Sequence, residues 1–130
     1  MDNKELWKIA KEALKFSYAP YSDFPVGCAL LTKSGKIYLG TNIENSSFGL
    51  TICAERVAIF KAVSEGEREF LKIAIVGRNG EGLFPCGSCR QVMAEFSLDL
   101  EIVLYDPKKD DFQSFKVREL LPFNFYLKRV

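Results

Sequence analysis

Three cysteines constrain this chain more than any other feature. Cys53 opens the segment Cys53-Ala54-Glu55, and Cys86 and Cys89 lie in Pro85-Cys86-Gly87-Ser88-Cys89. The interval between Cys53 and Cys86 reads as one helix and one strand. A fold that joins these cysteines must therefore bring two helix starts to one end of a sheet. Cys86 and Cys89, spaced i and i+3 at a helix start, place both thiols on one face. The positive ends of two helix dipoles would favour thiolates there and lower the thiol pKa values.

The rest of the pattern supplies such a sheet. Residues 2–17 read as an amphipathic helix, with Asp2 and Glu5 in capping-box-like spacing. Leu6, Ile9, Ala10, Ala13, Leu14 and Ser17 share one face. Ala19-Pro20-Tyr21-Ser22 breaks it. A buried strand over 26–32 turns at Ser34-Gly35 and pairs back over 36–41 as a hairpin. A polar loop (42–51) precedes a helix over 53–64, stopped by Gly66. Next come a buried strand (71–77), a loop (79–85) and a helix from near 85 or 88 to 97. Strands over 101–105 and 112–115 and a helical turn over 117–121 close the chain. Helices alternating with strands predict an α/β domain, and the opening hairpin makes its sheet mixed. At 130 residues, we expect a single domain, 1–130, around one core.

Composition removes several classes of function. There is no histidine, so a Ser-His-Asp triad, a Cys-His nucleophile and a His-ligated metal are all impossible. Eighteen basic residues against 17 acidic ones leave a net charge of +1, which gives no electrostatic argument for nucleic acid or an anionic membrane. No stretch approaches the roughly 20 apolar residues of a membrane span, and the polar start at Met1-Asp2-Asn3-Lys4-Glu5 does not read as a signal peptide. The expected compartment is the cytoplasm, where cysteines serve as metal ligands or core residues more often than as disulfides.

Three thiolates would form three corners of a tetrahedron around Zn²⁺. A catalytic zinc keeps the fourth corner for water, whose pKa falls to about 7 on the metal. Glu55, two residues past Cys53, is placed to reach that water. A closed structural site would need a fourth protein ligand, which among cysteines could only be Cys28. Cys28 lies in an apolar strand with Val26 and Leu30 and reads as core. Three thiolates on a divalent ion leave a net negative charge. Arg56 and Arg90, each directly after a key residue, are candidates to offset it.

With these residues in view, the chain resembles the cytidine deaminase family, specifically the small homotetrameric zinc-dependent type with three cysteine ligands. The motifs that carry the resemblance are Tyr21-Ser22-Asp23-Phe24-Pro25-Val26-Gly27, Asn42-Ile43-Glu44-Asn45, Cys53-Ala54-Glu55-Arg56, Lys61-Ala62-Val63-Ser64-Glu65-Gly66, Pro85-Cys86-Gly87-Ser88-Cys89-Arg90-Gln91 and Glu119-Leu120-Leu121-Pro122.

The resemblance implies a three-layer α/β/α sandwich with a mixed five-stranded sheet. It implies one zinc per chain on Cys53, Cys86 and Cys89. The implied activity is hydrolytic deamination of cytidine and deoxycytidine, with zinc-bound hydroxide attacking C4 and Glu55 shuttling protons in a pyrimidine salvage role. Phe24 would pack on the pyrimidine, Asn42 and Glu44 would hold the ribose, and backbone groups at Ala54 would meet the base. Arg56 would hydrogen-bond the cysteine ligands, and Phe125 would reach a neighbouring subunit's site in a homotetramer with shared active sites.

The chain departs from the family at Phe48, where tyrosine is frequent, at Cys28, where alanine is frequent, and after Pro122. Three other readings stay open at this point: a deaminase of another cytosine-containing nucleoside, a polynucleotide-editing deaminase, and a non-catalytic zinc module with Cys28 as fourth ligand.

Overall fold

A computed structural model describes residues 1–127. Helix α1 (Asn3–Ala13) opens the chain. The hairpin strands β1 (Val26–Thr32) and β2 (Ile37–Thr41) follow, then helix α2 (Ala54–Ser64) and strand β3 (Phe70–Gly77). Helix α3 (Gly87–Phe96), strands β4 (Glu101–Asp106) and β5 (Asp111–Lys116) and the short helix α4 (Val117–Leu120) complete the order. The five strands form one sheet in the order β2-β1-β3-β4-β5. Only β3 and β4 run parallel; the other neighbours are antiparallel. The sheet is mixed, as expected.

Alternation along the strands divides the core into two layers. Ala29 and Leu31 of β1, Ala74 and Val76 of β3 and Val103 of β4 face α1, meeting Leu6 and Ala10. The intervening residues Cys28, Leu30, Ile73, Ile75, Ile102 and Leu104 face Ala58 and Ile59 of α2 and Met93 of α3. Helices thus cover both faces, which makes the three-layer sandwich. Burying a side chain such as Leu6, Ile59 or Ile73 contributes about 1.5–3 kcal/mol each relative to exposure.

Gly40 sets how closely α2 approaches the sheet. A Cβ there would overlap the Ala54 carbonyl oxygen and stand 2.8 Å from the Ala58 nitrogen. Glycine therefore lets the first turn of α2, and with it Cys53 and Glu55, lie directly on β2.

The helix expected over 2–17 is α-helical only to Ala13. Residues Leu14–Phe16 tighten into a 3₁₀ turn closed by the Ser17 N–H on the Leu14 carbonyl, 3.1 Å. Such tightening is common at a helix end. It frees Ser17, placed on the apolar face by its spacing, to donate its hydroxyl to Asn42 Oδ1 at 2.5 Å. At the other end, Asp2 caps α1 by accepting from the Glu5 N–H at 2.8 Å.

Candidate active site

Helices α2 and α3 begin at the same point in space. Cys53 and Cys86 are their N-cap residues, both in extended backbone, and neither side chain makes a capping bond to a backbone N–H of its helix. The two sulfurs are therefore free to face each other. Cys53 Sγ lies 3.9 Å from Cys86 Sγ, and Cys86 Sγ lies 3.4 Å from Cys89 Sγ. All three sulfurs lie within 4.8 Å of one another. A tetrahedral zinc with Zn–S bonds of about 2.3 Å places its sulfurs about 3.8 Å apart. The three cysteines thus fit one zinc ion. Among the described residues no other group of this kind is present.

The electrostatics around the sulfurs favour a thiolate at Cys53. In the metal-free chain, hydrogen bonding from Cys89 and the neighbouring Arg56 guanidinium lower the Cys53 thiol to about 5, while Cys89, the other member of the pair, is raised by the same hydrogen bond. Arg56 Nη2 donates to Cys53 Sγ at 3.2 Å. The Arg56 Nε is buried with no hydrogen-bond partner among the described residues. Arg90 takes no part in the cluster. Its Nε donates to the Pro85 carbonyl at 2.7 Å and its Nη1 to the Leu120 carbonyl at 2.8 Å. Its guanidinium thereby braces the start of α3 against α4.

Cys28 is fully buried on β1 and its thiol donates to the Ala54 carbonyl at 3.1 Å. It stands outside the sulfur cluster. The closed site with Cys28 as fourth ligand is thereby disfavoured.

Glu55, 5% exposed, lies in the first turn of α2 and on the wall of a cavity of about 490 Å³ that Cys53 and Cys86 also line. Burial raises its carboxyl pKa. A bond from its own backbone N–H opposes that shift, and the nearby Cys53 thiolate adds to it. A buried carboxyl on the wall of the same cavity as the sulfur cluster is placed to carry protons there.

The same cavity gathers the other expected contacts. Phe24, half exposed, lines it, as do Asn42, Glu44 and Ala54. Three of the four hydrogen bonds open to the Asn42 amide are made within the protein. Oδ1 accepts from the Ser17 hydroxyl and from the Val26 N–H at 2.9 Å, and Nδ2 donates to the Phe24 carbonyl at 2.8 Å. One N–H remains for a ligand. Glu44 accepts from the Tyr21 and Ser22 amides at 3.0 and 3.1 Å and from the Ser22 hydroxyl. These donors, the hydroxyl above all, hold its carboxyl below the usual range. The Ala54 carbonyl is turned inward to Cys28, so its N–H, first in the helix and without an intrahelical acceptor, is the group left for a base.

Several lining residues carry no signal in their own spacing: Thr51, Ile52, Leu83 and Phe84. A second cavity of about 390 Å³ continues from the first, sharing Ser22, Glu44 and Thr51 and adding Tyr21 and Phe48. The Tyr21 and Phe48 rings meet edge to face at 5.8 Å.

Phe125 does not line either cavity of its own chain. Its ring is 69% exposed, and its carbonyl accepts from Gln91 Nε2 at 3.1 Å. Phe123, Tyr126 and Leu127 beside it are also exposed.

Comparison with known proteins gives the same picture. The family model for the cytidine and deoxycytidylate deaminase zinc-binding region matches residues 1–105. The chain is 49% identical to a cytidine deaminase of Halalkalibacterium halodurans over 125 residues, covering 96% of this chain and 95% of the relative. It is 45% identical to a probable cytidine deaminase of Dictyostelium discoideum, covering 94% and 84%. Among solved structures it superposes on the cytidine deaminase of Burkholderia pseudomallei with a TM-score of 0.89 at 45% identity, covering 96% of this chain and all of the other. On that of Mycobacterium tuberculosis the TM-score is 0.87 at 38% identity, covering 98% and 99%. With more than half its length matched by the family model and these relatives aligned almost end to end, the chain belongs to the zinc-binding cytidine and deoxycytidylate deaminase family.

Proposed function

We propose that this protein hydrolyses free cytidine and deoxycytidine to uridine and deoxyuridine, releasing ammonia. The observation that carries the reading is the meeting of three sulfurs at zinc spacing with one buried carboxylate on the wall of a single cavity. Bound zinc would supply a Lewis acid that brings a coordinated water to a pKa of about 7. Cys53, Cys86 and Cys89 would hold it, and Arg56 would offset their excess charge.

Glu55 does the proton work. It takes a proton from the attacking water, passes one to N3 of the base, and later helps deliver one to the departing amine. One water is consumed and one ammonia leaves, so the carboxylate is regenerated. Phe24 offers a face for the pyrimidine. The free Asn42 N–H and the Glu44 carboxylate offer a donor and an acceptor for sugar hydroxyls.

The cavities also favour a nucleoside over a nucleotide. Among the described residues, no lysine or arginine lines either one, and Glu44 stays ionised at neutral pH. A substrate phosphate near the sugar end would meet a carboxylate instead of a cation. The lack of lysine and arginine among the described residues lining these cavities also weighs against a polynucleotide strand.

The exposed cluster Phe123, Phe125, Tyr126 and Leu127 supports a homotetramer in which Phe125 enters a neighbouring subunit's site, because a solvent-exposed patch of this kind needs a cover. We place the enzyme in the cytoplasm, in pyrimidine salvage. No helix among the described residues is long and apolar enough to cross a membrane.

A substrate panel tests the assignment. Ammonia release should be seen with cytidine and deoxycytidine and be far weaker with cytidine monophosphate and with free cytosine. A preference for the monophosphate, or turnover of another cytosine nucleoside alone, would overturn it.

A further inference from the structure

We propose that Arg78 is a positioning residue for substrate binding: it latches the loop carrying Phe24 to the end of β3 and so fixes one wall of the cavity relative to another. The inference rests on the nucleoside deaminase reading for what the loop binds, but not for the latch itself.

Asp23 is the strained point of that loop. Its φ is +54°, in the left-handed region that a non-glycine residue adopts at a cost. Such a conformation persists only when its surroundings hold it. Two contacts do so. The Asp23 N–H donates to the Ala19 carbonyl at 3.0 Å. From across the chain, Arg78 Nη2 donates to the Asp23 carbonyl at 2.7 Å and to its Oδ1 at 2.8 Å.

Both neighbours of Asp23 serve the cavity. The Ser22 hydroxyl donates to Glu44, and the Phe24 N–H donates to Ser22 Oγ at 3.1 Å. A change of backbone at Asp23 therefore moves the aromatic face and the carboxylate together.

Arg78 acts from a firm base. It directly follows β3, where the Gly77 N–H donates to the Glu81 carbonyl at 2.9 Å. Trp7 Nε1 holds the Gly80 carbonyl at 3.0 Å, and the Trp7 ring packs 4.9 Å from Tyr105 and 5.7 Å from Phe112. This loop runs on through Leu83 and Phe84, which line the cavity, to Cys86. The latch thus joins the wall that carries Phe24 to the wall that leads to the metal ligands. Both side chains of the Arg78–Asp23 pair are exposed, at 54% and 89%. Exposed pairs add little to overall stability, so its effect should be read in binding and not in folding.

The experiment compares the zinc-loaded parent with Arg78→Ala and Arg78→Lys. For cytidine, Arg78→Ala should raise KM about two- to fivefold, the range an exposed ion pair can supply, with kcat near the parent's. Arg78→Lys, which keeps one charged donor, should recover most of the loss. Zinc content and thermal midpoint should not change. Amide hydrogen exchange should quicken at Asp23 and Phe24 in Arg78→Ala and stay the same along β1. An unchanged KM, a fall in kcat alone, or unchanged exchange at Asp23 and Phe24 would overturn the proposal. A parent that binds zinc but leaves cytidine untouched would refute the function reading, while the exchange measurement would still decide the latch.

Discussion

Arg56 Nη2 rests 3.2 Å from Cys53 Sγ, three residues away on the first turn of α2, so one helix turn carries both a proposed metal ligand and the cation proposed to offset its charge. Outer partners of this kind are worth about 10–100-fold in metal affinity. Arg56→Ala should weaken zinc binding by that order, measured by competition with a chelator, while the fold persists. An unchanged affinity would show that the arginine does not tune the ligands.

Cys28→Ala should leave one zinc per chain and near-parent turnover. The thiol it removes is bonded to the Ala54 carbonyl in the core, so the expected cost is about 1–2 kcal/mol of stability from the small void. Metal analysis and a denaturant titration check both halves. Zinc loss as severe as that of Cys86→Ala would make Cys28 a ligand after all.

Much of this was legible in the sequence because the central strands, buried on both faces, stand out as apolar runs. Strands β1 and β3 are apolar runs bounded by turns, and the N-caps of α2 and α3 coincide with cysteines whose spacing already marked them. What escaped was set by tertiary contacts. Nothing in the spacing of Arg90 tells it from Arg56, yet one braces backbone carbonyls and the other meets a thiol. Asn42 read as a sugar contact, and nothing in the sequence showed that its amide also fixes Ser17, Phe24 and Val26. The Arg78–Asp23 latch joins residues far apart in the chain, and neither belongs to a periodic pattern.

Glu44 gives a pH test away from the metal. Its folded pKa is depressed by the Ser22 hydroxyl and the two amides. The stability its charge contributes to the loop is therefore fully present above the ordinary carboxylate pKa and is lost as pH falls through the lower, folded value. Exchange protection of the Tyr21 and Ser22 amides should persist below the ordinary glutamate range and then collapse. In Glu44→Gln that pH dependence should disappear.

Truncation after Pro122 should weaken assembly and activity together, because it removes the exposed aromatic cluster. Phe125→Ala should mainly raise KM. Sedimentation alongside kinetics checks both, and a fully active monomer at assay concentration would contradict the shared-site assembly.

The central claim is that a cysteine-held zinc and Glu55 together hydrolyse the base amine. The most direct measurement is ammonia release from cytidine by the parent and by Glu55→Gln at matched zinc content. The substitution is nearly isosteric and leaves the three thiols in place, so metal and fold should be retained. Loss of general acid–base work predicts a fall in kcat of about 10²–10⁴-fold or more. A zinc-loaded Glu55→Gln that turns over within a few-fold of the parent would contradict the account.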